Sequence, residues 1–128
     1  MKKMLLIFIL VGYLLRVSRH FRWNLEDKSY QKAVESCLQE GDDQVFYCQF
    51  LDSALPASVI GQKRGIETYC DFGESSLWSI KYAPMDEVLR RAKTFSGVIS
   101  VSGANTEMLT ESKIASEENI LTAINGVN

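Results

Sequence analysis

The sequence predicts an α+β fold built from an N-terminal membrane helix, a helical hairpin, a small antiparallel sheet with one crossing helix, and a helical C-terminus. Three observations predict it. Residues 4–15 are apolar without interruption behind two lysines, residues 30–38 repeat their apolar positions at helical spacing, and two later runs alternate apolar with polar side chains. At 128 residues the chain has room for one domain of ordinary size.

Charge divides the chain in two. Residues 1–23 hold Lys2, Lys3, Arg16, Arg19 and Arg22 and no acid, a net of +5, whereas residues 24–128 hold nine bases and all sixteen acids, a net of -7. A basic stretch beside an apolar one suits anionic lipid headgroups, while an acidic domain is repelled by them and by nucleic acid. The expected organisation is therefore a membrane anchor over residues 1–23 and a single small acidic domain over residues 24–128, with no nucleic-acid partner.

The anchor has the basic start and apolar run of an export signal. The stretch from Arg16 to Trp23 offers no pair of small residues for signal peptidase, so the run reads as an uncleaved signal anchor from Met4 to Val17. It is shorter than the ~20 residues a spanning helix needs. Lys2 and Lys3 on one side, and Arg16, Arg19 and Arg22 with Trp23 on the other, are placed to reach the two membrane interfaces. The positive charges flanking the run balance. An extracytoplasmic, periplasmic domain is the expectation, because signal-like anchors keep their tail in the cytoplasm and because of the cysteines.

From Asn24, a cap candidate, Tyr30, Ala33, Val34, Cys37 and Leu38 follow helical spacing up to Gly41. Asp42 or Asp43 can start a second helix carrying Val45, Cys48, Leu51 and Leu55 before Pro56, with a strand over residues 45–48 as the competing reading. Two helices joined by so short a loop form an antiparallel hairpin, which would bring Cys37 and Cys48 within the ~4.4 to 6.8 Å of a disulfide. Buried free thiols are the alternative, and Cys70 is then the odd cysteine.

Residues 57–65 read as a loop. Ile66, Thr68 and Cys70 alternate with polar neighbours, and residues 77–82 repeat the pattern, which predicts a hairpin of strands. Pro84 opens a helix through Met85, Val88, Leu89, Ala92 and Phe95 that Gly97 closes, and Val98, Ile99 and Val101 suggest a third strand ended by Gly103. Residues 106–114 read as a weak helix. Ser116, Glu117 and Glu118 open another, through Ile120, Leu121 and Ile124 to Gly126.

The inventory of reactive side chains is thin. The sole histidine, His20, lies among the N-terminal arginines, which removes imidazole-based nucleophile activation from the domain. Three cysteines without a close pair do not make a zinc site. The adjacent acids Asp42/Asp43, Asp86/Glu87 and Glu117/Glu118 fall at predicted helix starts, where negative charge complements the helix dipole. Residues 61–65 lack the spacing of a phosphate loop. Tyr69, Phe72, Trp78 and Tyr82 could form an aromatic binding surface on the hairpin or serve as core.

No catalytic, cofactor or metal residue is expected, and no enzymatic activity. The expectation is a membrane-anchored protein at the outer face of a bacterial cytoplasmic membrane that acts by protein–protein contact. It would be an accessory subunit of an envelope or secretion assembly, or an immunity or inhibitor protein whose acidic surface meets a basic partner. Its contacts would be an unidentified protein and, through residues 1–23, the lipid bilayer. The alternative is a small envelope hydrolase using carboxylate or Ser/Lys chemistry.

Overall fold

A computed structural model describes residues 2–41 and 43–123, the side chains of residues 2–12, 15 and 16 excepted. Helices and strands alternate along it as α1 (Lys2–Ser36), β1 (Val45–Gln49), α2 (Leu51–Arg64), β2 (Glu67–Phe72), α3 (Met85–Ala92), β3 (Gly97–Ser100), α4 (Gly103–Glu111) and β4 (Ile120–Thr122). The four strands form one sheet in the order β1-β2-β3-β4. Every neighbouring pair is parallel, with Cys48 beside Cys70, Cys70 beside Val98 and Val98 beside Ile120.

This arrangement overturns the antiparallel sheet and the helical hairpin. The apolar run at residues 45–48 is strand β1, and α2 follows it at once. Pro56 does not stop α2 but lies in its second turn, where its missing N–H forfeits a single hydrogen bond. Residues 57–64 are the rest of that helix and not a loop. Gly61 lies buried in it, and a Cβ there would stand 2.6 Å from both the Ile66 carbonyl oxygen and Thr68 Oγ1. Gly65 ends α2 in the left-handed conformation, φ 69°, that glycine adopts at least cost.

The second half of the expected hairpin is also corrected. Residues 78–80 form a 3-10 turn that leads into α3, so β2 finds its partners in β1 and β3 instead. Gly97 opens β3 and does not close α3, whose last helical residue is Ala92. In the tail, Glu117–Asn119 is a 3-10 turn and Ile120–Thr122 is strand β4, where a helix was expected. Ile124 to Gly126 lie outside the described residues.

The amino-terminal expectation changes as well. No helix start occurs at Asn24, since α1 passes through it unbroken from Lys2 to Ser36, with no proline to interrupt it and Gly12 as its one glycine. Among the described residues no helix is long and apolar enough to cross a membrane. The described part of α1 carries Arg19, Arg22, Glu26, Asp27, Lys28, Lys32 and Glu35, a charge at nearly every turn. The membrane helix and signal anchor are therefore not supported. Of the segment from Met4 to Val17, only Tyr13, Leu14 and Val17 have described side chains, and all three are exposed.

The core lies between one face of the sheet and the helices. Cys48, Cys70, Phe72 and Val98 on the strands meet Leu51, Ala54, Leu55 and Ala57 of α2, Val88 of α3 and Leu109 of α4. A strand order that follows the chain order implies this one-sidedness, because right-handed crossovers that all step in one direction place every connecting helix on the same face.

α1 packs along α2 and reaches α3 through one buried ion pair. The Arg91 guanidinium donates from both terminal nitrogens to the Asp27 carboxylate at 2.5 and 2.9 Å, and the two side chains are 8% and 6% exposed. Arg91 Nε donates to Glu87 at 2.7 Å, and the Trp23 ring lies 5.0 Å from the guanidinium carbon. Glu87 also accepts two bonds from Arg90, and these, followed by the bond from Arg91, hold its carboxyl at about 2, from an ordinary 4.5, against the opposing effect of burial.

Two outcomes follow from this cluster. Arg91→Met should cost about 3 kcal/mol or more in urea unfolding, because it strands the Asp27 carboxylate out of water, and adding Asp27→Leu should recover much of the loss. A folded-state pKa below the unfolded one means that the Glu87 contribution is full above pH 4.5 and is lost as pH falls toward 2. Discounted for solvent, that contribution is on the order of 2 kcal/mol, and Glu87→Gln should flatten the fall by as much.

Candidate functional site

The three expected cysteine roles resolve first. All three cysteines are free, so the Cys37–Cys48 disulfide is not formed. Cys37 is exposed just past the end of α1, while Cys48 is buried in β1 because residues 45–48 are strand and not helix. Cys48 stands beside Cys70 on the covered face of the sheet. Burial pushes the Cys48 thiol up to about 11 and raises Cys70 further, which keeps both protonated and inert at neutral pH.

Of the residues expected at membrane interfaces, three have described contacts within the chain. Trp23 is half-buried against Arg91, Arg22 Nε donates to Glu26 at 2.9 Å, and Arg19 lies 5.8 Å from the centre of the Tyr82 ring. The side chains of Lys2, Lys3 and Arg16 lie outside the described residues. The expected aromatic surface disperses: Phe72 is core, Trp78 is exposed under the Lys81 ammonium at 3.1 Å, and Tyr69 points to the other side of the sheet from Phe72.

Among the described residues no three His, Cys, Asp or Glu side chains converge where a metal ion could sit. The carboxyl ends of parallel strands are a common place for ligands. Here they are occupied by an internal network. Ser102 caps α4 by accepting from the Asn105 amide at 3.1 Å, Asn105 Nδ2 donates to the Glu74 carbonyl, and Thr106 Oγ1 donates to Ser100 Oγ at 2.9 Å. These bonds tie α4 to the segments that follow β2 and β3, and no buried side-chain donor or acceptor is left without a partner among the described residues.

What the structure presents instead, among the described residues, is a bare sheet face. Side chains opposite the core run in three rows across the strands: Val45 beside Glu67; Tyr47 beside Tyr69 and Gly97; and Gln49 beside Asp71, Ile99 and Leu121. Val45, Tyr47 and Leu121 are 59%, 63% and 66% exposed. The Tyr69 ring fills the space over Gly97, where an added Cβ would meet it at 3.2 Å. No Lys or Arg occurs in any of the four strands, and among the described residues the side-chain bonds to the two carboxylates come from phenols: Tyr47 Oη donates to Asp71 at 2.6 Å and Tyr69 Oη to Glu67 at 3.2 Å. Both carboxylates hold those phenols above their ordinary pKa.

No known protein family, curated protein or solved structure matches the chain. The functional reading therefore rests on this face. Sequence reasoning missed it because the aromatic candidates were assigned to a hairpin. The signal was present in the strands themselves, since both phases of residues 45–48, 97–100 and 120–122 carry apolar side chains, the pattern of parallel strands covered on two sides.

The thiol placement gives a direct measurement. In the native protein one cysteine, Cys37, should be alkylated rapidly near neutral pH and the other two only after unfolding, and gel mobility should not depend on reductant. Rapid modification of Cys48 or Cys70 in the folded protein would contradict their burial.

Proposed function

We infer that this chain is a non-enzymatic binding module that works by protein–protein contact, with the open face of the sheet as its contact surface. One observation carries the reading. A parallel sheet is ordinarily covered on both faces, and here one face holds the helices while the other leaves Val45, Tyr47, Ile99 and Leu121 without a layer above them. A contiguous patch of aromatic and aliphatic side chains on a soluble surface marks an interaction site.

The chemistry of the face also states what it accepts. Tyrosine is enriched at the centre of protein interfaces, and two rings presented side by side offer both apolar area and π-faces for cations. Glu67 and Asp71, with no base near them on the sheet, favour a partner that brings Lys or Arg together with aliphatic side chains.

Tyr47→Lys with Leu121→Lys tests this directly. Both positions are exposed, so circular dichroism should be unchanged and urea unfolding should shift by no more than about 0.5 kcal/mol per site. The unsubstituted protein should be recovered in a stoichiometric protein complex by mild crosslinking and native mass spectrometry, and the double variant should be recovered alone. Recovery of both as single chains under the same conditions would sink the reading.

A further inference from the structure

α2 and α4 both run out into a left-handed residue, glycine in one and lysine in the other. After α4, the Ile114 amide donates to the Leu109 carbonyl at 3.0 Å and the Lys113 amide to the Thr110 carbonyl at 3.0 Å, with Lys113 at φ 62°. Gly65 meets the same demand after α2 at φ 69° with no Cβ to crowd the backbone. Lysine is the costlier residue for such a position, and what it adds there is a charged side chain.

Lys113 borders a crevice of about 230 Å3 at the amino ends of β3 and β4, between the end of α3 and the connection from α4 to β4. The floor is apolar: Ala92, Val98 and Ile114 are buried, and Phe95 is half-buried. Lys93, which follows α3, lines the same crevice. Among the described residues these two lysines are the only charged groups in its lining, within a domain of net charge -7, and neither is paired with a carboxylate. At the rim, Ser116 Oγ donates to Glu118 at 3.3 Å and accepts from Asn119 Nδ2 at 3.2 Å, so these groups are engaged with one another.

Two uncompensated cations at one mouth favour a ligand with about two negative charges, which a phosphate monoester carries near neutral pH. The apolar floor suits a small hydrophobic body beside that charge, because the volume falls short of the ~300 Å3 at which pockets for drug-sized ligands begin. We propose that this crevice binds a small phosphate monoester, with its apolar body over Phe95, Val98 and Ile114 and its phosphate held by the ammonium groups of Lys93 and Lys113. The site does not depend on what contacts the open face of the sheet.

The test is a titration of the isotope-labelled full-length chain with phenyl phosphate, followed by amide shifts. Saturable shifts are expected at Val98, Ile114 and Ala115, with affinity lower by about tenfold or more in Lys93→Gln and in Lys113→Gly. Lys113→Gly should also raise the urea midpoint, because glycine relieves the left-handed backbone, so binding lost there is not folding lost. Phenol, which lacks the charge, should give no saturable shift. Shifts that do not saturate or that centre on Tyr47 and Leu121, phenol binding as tightly as phenyl phosphate, or full affinity in both lysine variants would each overturn the site.

Discussion

The rotation of α1 about its own axis is fixed by a pair of charges, because little else on its inner side could fix it. That side offers Trp23, Asp27, Gln31 and Val34, a half-polar surface that would slide over α2 at small cost if apolar contact alone held it. The bidentate bond between Arg91 and Asp27 permits one register, and Glu87 and Trp23 hold the guanidinium in place from α3 and from α1. A buried ion pair contributes little net stability once the loss of hydration is counted, and its value is in what it forbids. Here it forbids α1 from turning Val17, Phe21 and Leu25 inward, and all three are exposed.

The sheet shows a comparable restriction. With every strand stepping the same way, α2, α3 and α4 share one face, and the domain gains a single core at the expense of a single bare surface. The core side is finished closely: Gly61 leaves no room for a side chain against Ile66 and Thr68, and Phe72, Leu51 and Leu109 are fully enclosed. The bare side is finished only at Tyr69, whose ring closes the gap over Gly97. Its other rows end in open solvent.

Much of this was legible one segment at a time and illegible as a whole. Pro84 at the start of a helix and a third strand around Val98 and Ile99 both follow local rules. Residues 45–48 did not, since four apolar residues fit a strand or a buried helical turn equally well, and tertiary pairing with β2 decided the matter. Reading them as helix makes Pro56 its stop and residues 57–65 a loop, and leaves the remaining strands only a hairpin to form. Two cysteines assigned to facing helices were in fact separated by a change of element, and the partner beside Cys48 was Cys70, which sequence spacing alone could not show. The continuity of α1 was hidden by Asn24, a residue that caps helices well but also sits in their interiors when the flanking residues are strong helix formers.

A sheet whose strands lie side by side in the order of the chain has one further property, and it concerns time. β2 pairs with β1, β3 with β2, and β4 with β3, so no strand waits for a later one to be inserted between it and its neighbour. As the chain leaves the ribosome, each crossover can close on an edge that already exists, and each closure moves the growing edge one strand along. This order allows assembly from β1 onward, with the β4 edge the last of the four strands to be added.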